Sequence, residues 1–242
     1  MQLQGFVVDL DGVVTQTQRC HALAWKELFD DYMAERSRRD GSPFTAFDAT
    51  RDFATFVDGR PRYQGVVSFL DSRSLDLPYG APDDPPGQET VCGLGNRKNA
   101  LYNDMIRREG VEVFGGAVRL IRALAATGVR IAVVSASRNC RMVIHRAKLT
   151  PLFEVVIDGI YADEAGLHGK PAPDTFRRAA DLLHIDPARS AMVEDAVSGI
   201  KAGLSAGYGL AIGVDRGAGV EAMMAAGAHV VVPDLGAFPL AP

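Results

Sequence analysis

Acidic residues and one lysine stand where short apolar runs of the sequence end. Asp9 and Asp11 follow one such run, Glu194 and Asp195 follow another, and Lys170 lies in a loop ahead of a periodic apolar segment. Carboxylates that lie close together raise one another's pKa unless a cation lies among them. Mg²⁺ suits such a set, because it is typically bound by carboxylates, water and substrate phosphate. These residues therefore indicate a magnesium site that handles a phosphoryl group.

The spacing of Asp9 and Asp11 indicates how such a group is transferred. Side chains two residues apart on an extended segment lie on the same side. One carboxylate can then attack phosphorus while the other moves the proton of the leaving or attacking oxygen. Ser135, which follows a third apolar run, and Lys170 can bind the phosphoryl oxygens. The pattern predicts a two-step transfer through an aspartyl phosphate.

A sheet with alternating helices is needed to bring these residues together. Short β-branched runs predict strands at 6–8, 129–134, 153–157, 190–193, 209–212 and 229–232. Apolar periodicity predicts helices at 118–126, 139–147, 173–183, 196–206 and 219–226. Strands that alternate with helices pair in parallel, and ligands bind beyond their carboxyl ends. We therefore expect an α/β fold with a doubly wound parallel sheet.

The strand and helix pattern is interrupted after the first strand. Apolar residues spaced by three and four around Trp25 predict one helix, and 97–108 has the character of another. Residues 44–70 are broken by glycine and proline and show no clear element, while the proline-rich residues 71–90 predict an irregular insertion. The expected domains are a core of residues 1–15 and 112–242 and an inserted, mainly helical cap of residues 16–111.

The composition limits the classes of function. The 242 residues carry a net charge of −4 without a block of like charges, so a nucleic-acid surface is not expected. No apolar run reaches the roughly 18 residues that a membrane span needs. The three cysteines form no CxxC pair, which favours free thiols in a reducing cytoplasm over a zinc site. We expect a cytoplasmic protein, a monomer or weak homodimer, with a small anionic substrate.

Four segments resemble the motifs of the haloacid dehalogenase (HAD) superfamily, in the same order and across nearly the whole predicted core. They are Asp9-Leu10-Asp11-Gly12-Val13-Val14-Thr15, Val134-Ser135-Ala136-Ser137, Gly169-Lys170-Pro171-Ala172-Pro173-Asp174 and Val193-Glu194-Asp195-Ala196-Val197-Ser198-Gly199-Ile200. The resemblance implies that Asp9 is the nucleophile and Asp11 the general acid and base. It also implies that Ser135 and Lys170 hold the phosphoryl group. The implied Mg²⁺ ligands are Asp9, the Asp11 backbone carbonyl, Glu194 and Asp195.

Finer matches resemble the β-phosphoglucomutase-like branch of this superfamily. They are Thr15-Gln16-Thr17 with the helix that follows, the loop 135–139, the segment from Gly59 to Arg62, and Arg97-Lys98-Asn99. The resemblance implies a phosphorylated sugar as substrate, with β-glucose 1-phosphate converted to glucose 6-phosphate. The implied substrate-binding residues are Thr17, His21, Arg62, Lys98, Ala136 and Asn139. The chain departs from the branch at Asp58, where a lysine is favoured, and in the longer cap. Both departures keep a phosphatase open as the alternative.

Simpler interpretations compete for several of these residues. Asp195 could cap the helix predicted at 196–206, and His21 could only pack on the apolar face of its helix. Lys170 by itself could be a solvated loop lysine, and Arg60 competes with Arg62 for a substrate phosphate. A regulatory module that keeps a phosphoacceptor aspartate is the alternative from another class. Such a module is expected to lose some of the catalytic motif residues, which this chain retains.

Overall fold

A computed structural model describes residues 3–238. The strands in this range are β1 (Gly5–Val8), β2 (Arg130–Val134), β3 (Val155–Ile157), β4 (Ala191–Glu194), β5 (Leu210–Val214) and β6 (Val230–Val232). The α-helices are α1 (Gln18–Asp40), α2 (Arg62–Ser72), α3 (Val91–Glu109), α4 (Gly115–Ala126), α5 (Cys140–Arg146), α6 (Gly159–Glu164), α7 (Asp174–Leu183), α8 (Val197–Ser205) and α9 (Val220–Ala225). The chain divides into two compact units, residues 1–16 with 111–242 and residues 17–110.

The first unit is built on a parallel sheet with strand order β3-β2-β1-β4-β5-β6. All four residues of β1 are buried, as expected of a central strand covered on both faces by helices. The predicted fold class, a doubly wound parallel α/β sheet with an inserted helical region, is confirmed. Because β1 lies between β2 and β4, the residues that follow these three strands meet at one edge of the sheet.

Helix α7 shows how the sequence pattern covers this sheet. Its buried residues recur at spacings of three and four from Phe176 to Leu183, which places them on one face of the helix. That face packs in a cluster with Val7 of β1 and Met192 of β4. The same packing fixes the loop before α7, in which Lys170 lies, against the central strands.

Aromatic packing forms the core of the second unit, residues 17–110. The rings of Phe29 on α1 and Phe69 on α2 are stacked with centroids 3.9 Å apart, and Phe47 lies 5.3 Å from Phe69. Trp25 is stacked on Phe29 at 5.2 Å. Such ring pairs add stabilisation beyond the apolar area that they bury. These contacts join α1 and α2 to the irregular segment that contains Phe47.

One helix begins earlier than the sequence predicts, and two helices are absent from the sequence prediction. Helix α3 begins at Val91 rather than near residue 97, because the Thr90 side chain accepts a hydrogen bond from the Gly93 backbone N–H at 2.9 Å and caps the first turn. The glycines in that turn have low helix propensity and conceal it in the sequence. Helix α2 occupies part of a region in which no element was recognised, and its last two residues enter the predicted insertion. Helix α6 was also not predicted.

Residues 73–90, called the insertion loop below, contain turns and no helix or strand. Backbone hydrogen bonds join the loop to the start of α3: the Val91 N–H donates to the Pro78 carbonyl and the Cys92 N–H to the Tyr79 carbonyl, each at 3.0 Å. Among residues 3–238, no helix has the length and apolar character needed to cross a membrane.

The aromatic core of the second unit can be tested with a buried and an exposed phenylalanine. Phe69 is 0% exposed and Phe44 is 49% exposed. We expect Phe69→Ala to lower the free energy of unfolding by about 3–5 kcal/mol, because it leaves a cavity among packed rings. Phe44→Ala serves as the matched control and is expected to cost less than about 0.5 kcal/mol. Urea denaturation followed by fluorescence of Trp25, the one tryptophan of the chain, measures both. Equal midpoints for the two variants would contradict this description of the core.

Candidate active site

Three neighbouring strands deliver the predicted catalytic residues to one edge of the sheet. Asp9 directly follows β1, Ser135 directly follows β2, and Glu194 is the last residue of β4. Asp9, Glu194 and Asp195 are 7%, 1% and 8% exposed. The backbone N–H of Asp9 donates to the Val193 carbonyl at 2.9 Å and continues the strand pairing up to the site. The core cluster is defined here as Asp9, Asp11, Ser135, Lys170, Glu194 and Asp195.

Lys170 is the cation at the centre of the core cluster. Its Nζ donates a hydrogen bond to Asp9 Oδ1 at 2.5 Å and forms an ion pair with Glu194. The Lys170 side chain is only 6% exposed. Burial by itself would lower the pKa of Lys170, but the two carboxylates reverse this effect and raise the pKa above its usual value. Lys170 is therefore a fixed buried positive charge, and the interpretation as a solvated loop lysine is wrong.

The carboxylates of the core cluster outnumber its cations. Burial raises the pKa of Asp9 above its usual range and that of Glu194 to about 7, although Lys170 opposes both shifts. Arg216, after β5, adds a second positive charge near Asp195. Four carboxyl groups beside two cations offer a set of hard oxygen donors, and Mg²⁺ prefers such donors. The chemistry of the donor set thus fits the predicted metal.

Side chains alone do not complete a metal shell. Among residues 3–238, no three His, Cys, Asp or Glu side chains converge closely enough to hold an ion by themselves. Mg²⁺ usually keeps several water or substrate oxygens and takes only one or two carboxylates. The backbone carbonyl of Asp11, water and a phosphate oxygen would therefore have to supply part of the coordination.

A closed turn positions Asp11 next to Ser135. The backbone N–H groups of Val14 and Thr15 both donate to the Leu10 carbonyl at 2.9 Å, and the Thr15 hydroxyl donates to the same oxygen at 3.2 Å. The Ser135 hydroxyl donates to Asp11 Oδ2 at 3.3 Å and accepts from the Ser137 N–H at 3.1 Å. The Asp11 carboxylate and the Ser135 hydroxyl are thus held side by side, and a carboxylate positioned in this way could act as a general acid or base.

Gly12 allows this turn to pack against Asp195, one of the predicted metal ligands. Its φ is +88°, and a Cβ atom at this position would lie 1.8 Å from Asp195 Oδ2. Ala196 rather than Asp195 occupies the N-cap position of α8, so the interpretation of Asp195 as the helix cap is wrong. Asp195 instead lies directly against the turn that carries Asp11.

Arg216 is a residue of this region that the sequence prediction missed. Its Nε donates to the Gly12 carbonyl at 2.7 Å and its Nη1 to the Pro233 carbonyl at 2.8 Å, and its guanidinium lies 3.6 Å from the centre of the Phe114 ring. It follows β5, at the carboxyl-end edge of the sheet where the other site residues lie. Its position at a strand end was the available indication, but no recognised motif contains it.

The remaining predicted residues of the first unit lie in the loop after β2. Ala136 is exposed, and Asn139 is half-buried at the N-cap position of α5, where its backbone N–H donates to the Ser137 hydroxyl at 3.2 Å. This loop carries Ser135 at its start. It therefore presents backbone and side-chain donors next to the core cluster.

The second unit brings three predicted residues into a group of its own, here called the helical-unit cluster: His21, Arg62 and Lys98. Lys98 Nζ lies 2.6 Å from His21 Nδ1, and the His21 ring is stacked on Tyr102 at 4.1 Å between centroids. Burial first, and then the charges of Lys98 and Arg62, hold the pKa of His21 well below its usual value. His21 is therefore neutral near pH 7 and accepts a hydrogen bond from the Lys98 ammonium.

Arg62 and Thr17 complete the list of predicted residues in this unit. Arg62 donates to Asn96 Oδ1 at 3.3 Å and to Asn99 Oδ1 at 3.0 Å, whereas its competitor Arg60 is exposed. Thr17 is buried at the N-cap position of α1, and its side chain makes no capping hydrogen bond. The structure thus holds Arg62, and not Arg60, in a defined orientation.

Comparisons with known proteins agree with this geometry. A family model of haloacid dehalogenase-like hydrolases matches residues 3–207. The chain is 44% identical to a β-phosphoglucomutase of Mycobacterium bovis over 237 residues, 97% of this chain and 90% of that protein. It is 25% identical to hexitol phosphatase A of Escherichia coli, over 86% and 81% of the two chains. A crystal structure of a β-phosphoglucomutase from Clostridium difficile has the same fold, with a TM-score of 0.77, 21% identity, and coverage of 99% and 94%.

The contact between Gly12 and Asp195 predicts a specific loss of metal binding. Gly12 and Gly128 have φ of +88° and +85°, but a Cβ at Gly128 would meet no atom within 4 Å. We expect Gly128→Ala to cost about 1 kcal/mol of stability through backbone strain alone. Gly12→Ala causes the same backbone strain and also displaces Asp195. We therefore expect MgCl₂ to raise the Tm of the wild type but not that of Gly12→Ala.

Thermal unfolding with and without MgCl₂ compares the two alanine variants directly. Gly128→Ala should keep the full Mg²⁺-dependent rise in Tm, because it matches the backbone strain of Gly12→Ala without touching the core cluster. A Gly12→Ala variant that keeps the same rise would show that Asp195 does not take part in metal binding.

Proposed function

This chain belongs to the haloacid dehalogenase-like hydrolases, and on that basis we propose that it moves a phosphoryl group of a sugar phosphate through Asp9, as a β-phosphoglucomutase. The chain is an enzyme of the phosphotransferase or phosphatase type. One observation carries the proposal: Asp9 directly follows the central strand β1, pairs with buried Lys170, and lies beside the Asp11–Ser135 pair. A nucleophile, a proton carrier and a phosphate-binding cation are the groups that aspartyl-phosphate chemistry needs.

The first step uses Asp9 and Asp11. A carboxylate oxygen of Asp9 forms a bond to phosphorus as the bond between phosphorus and the leaving oxygen breaks, and Asp11 gives that oxygen a proton. In the second step an acceptor oxygen attacks the phosphorus, Asp9 is released as a carboxylate, and Asp11 takes the proton of the acceptor. Asp11 thereby returns to its starting state after each round.

Lys170 and Ser135 stabilise the charge that develops in both steps. The Lys170 ammonium is held beside Asp9 Oδ1, and the Ser135 hydroxyl lies beside Asp11, so both can donate to phosphoryl oxygens. Asp9, the Asp11 carbonyl, Glu194 and Asp195 would hold Mg²⁺, which would neutralise phosphate charge when bound. The buried donors are fixed in advance, which avoids reorganisation at the moment of transfer.

The acceptor distinguishes the two candidate activities. In a mutase, phosphorylated Asp9 gives its phosphoryl group to the C6 hydroxyl of β-glucose 1-phosphate, and the resulting bisphosphate returns its C1 phosphate to Asp9. In a phosphatase, water is the acceptor. The 44% identity to a protein named β-phosphoglucomutase and the helical-unit cluster favour the mutase. The lower similarity to hexitol phosphatase A supports the alternative.

Product analysis separates the two activities. With Mg²⁺, β-glucose 1-phosphate and a trace of glucose 1,6-bisphosphate, we expect glucose 6-phosphate to form with little inorganic phosphate. A coupled glucose 6-phosphate dehydrogenase assay and a phosphate assay run on the same sample measure both products. Release of inorganic phosphate without glucose 6-phosphate would contradict the mutase and favour the phosphatase.

Arg62 is proposed to bind the phosphate that is not transferred. Loss of a charge-assisted contact of this kind costs roughly 1.5–3 kcal/mol. We therefore expect Arg62→Ala to raise the KM for β-glucose 1-phosphate about tenfold to a hundredfold. p-Nitrophenyl phosphate has only the phosphate that is transferred to Asp9 and none for the non-transferring position, so its turnover should change little.

Arg60 offers the matched control for Arg62. It is exposed and only two residues away, so Arg60→Ala removes the same charge from a neighbouring position. Steady-state kinetics of the two variants on both substrates compare them. Equal changes in KM for Arg60→Ala and Arg62→Ala would show only a general effect of charge and would overturn the assignment of Arg62.

A further inference from the structure

Asn96 on α3 connects the insertion loop to Arg62 through a single amide group. Its Nδ2 donates to the carbonyls of Pro82 at 3.0 Å and Asp84 at 2.8 Å. Its Oδ1 accepts from Arg62 Nη1 at 3.3 Å and from the Tyr63 hydroxyl at 3.0 Å. One end of the amide thus holds the loop, and the other end holds Arg62.

These contacts use the full hydrogen-bonding capacity of the Asn96 side chain. An amide has two N–H donors and two lone pairs on its oxygen, and each of the four meets a partner. The two loop carbonyls can pair only with the NH₂ group, and the guanidinium can pair only with the oxygen. The orientation of the amide is therefore determined by its surroundings, and a shift of the loop would move Asn96 Oδ1, which together with Asn99 Oδ1 accepts from Arg62.

The insertion loop is itself held in one conformation. Asp84 Oδ2 accepts from the Thr90 hydroxyl at 2.6 Å and from the Ala81 N–H at 3.1 Å. Thr90 also caps α3, so the loop is joined to the helix that carries Asn96. Four prolines limit the alternative backbone conformations of the segment. A loop ordered in this way can support Arg62 indirectly, through its hydrogen bonds to Asn96.

We propose that the insertion loop, acting through Asn96, orients Arg62 for the non-transferring phosphate of the sugar substrate. This inference rests on the proposed function, because it assumes that Arg62 binds that phosphate. A long arginine side chain loses rotamer freedom when it binds, and holding it in place beforehand strengthens binding. Asn96 is therefore a positioning residue, and the insertion loop is a determinant of substrate affinity.

Asn96→Asp separates the two ends of the amide. The carboxylate keeps an acceptor for Arg62 and Tyr63 but places an oxygen against the carbonyls of Pro82 and Asp84, where a donor is required. We expect the loop to detach and the KM for β-glucose 1-phosphate to rise about tenfold, with kcat/KM for p-nitrophenyl phosphate unchanged. A KM equal to that of the wild type would overturn the proposal.

Asp84→Ala loosens the loop from within and removes no atom that contacts Arg62. It should raise the same KM several-fold and leave turnover of p-nitrophenyl phosphate unchanged. Gln64→Glu is the control for charge, because it adds one negative charge at an exposed position on the helix of Arg62. It should leave both KM values near those of the wild type. A comparable rise in KM for Gln64→Glu would attribute the effect to charge and overturn the proposal.

Hydrogen exchange in the wild type tests the coupling between the insertion loop and substrate binding, and this test does not depend on whether an Asn96 variant folds. Coupling between two sites is reciprocal, so β-glucose 1-phosphate should slow amide exchange across residues 79–90. Arg62→Ala should abolish this protection. Exchange in the loop that does not respond to the sugar phosphate would overturn the coupling.

The outcomes distinguish this inference from the proposed function. If Arg62→Ala raises the KM while Asn96→Asp and Asp84→Ala do not, Arg62 binds phosphate without help from the loop, and only the inference is wrong. If Arg62→Ala leaves the KM unchanged, Arg62 binds no substrate phosphate, and the inference falls together with that part of the proposed function.

Discussion

The buried ion pair between Lys170 and the carboxylates of Asp9 and Glu194 is the interaction on which the site depends. Removal of such charges from water costs several kcal/mol for each ion, and the attraction between partners offsets this cost only in good geometry. A cluster of this kind is weak evidence for stability. Its position at the carboxyl ends of the central strands is instead consistent with a role in chemistry, where concentrated charge must meet a phosphate and a cation.

The sheet topology provides the geometry for that cluster. The central position of β1 places Asp9 between the ends of β2 and β4, so Ser135 and Glu194 reach it from either side. The turn after β1 then returns on itself through the Leu10 carbonyl, and Arg216 holds its outer side at Gly12. A small deviation in this turn would move Asp11. The hydrogen bonds of the turn backbone hold it against such a deviation.

The elements of the core could be predicted from the sequence, because short segments of the chain carry the pattern of each strand and helix. Asp9, Ser135 and Asp195 directly follow short buried strands, and apolar periodicity identifies the helices that cover the sheet. Arg216 was missed because its role depends on contacts with Gly12 and Phe114, which are distant in sequence. The first turn of α3 was missed because its glycines hide a helix that Thr90 caps. The link from Asn96 to the insertion loop follows only from side-chain geometry, which no periodicity encodes.

The central claim is that Asp9 carries the phosphoryl group as a covalent intermediate. An acyl phosphate can be reduced with borohydride to an alcohol, which converts the aspartate to homoserine. The enzyme is therefore mixed with Mg²⁺ and glucose 1,6-bisphosphate, quenched, reduced and digested with trypsin, and the peptide that ends at Arg19 is sequenced by mass spectrometry. The account predicts homoserine at position 9 in the wild type and its absence in Asp9→Asn. Turnover by the wild type with an unmodified Asp9, or with homoserine at another aspartate, would contradict it.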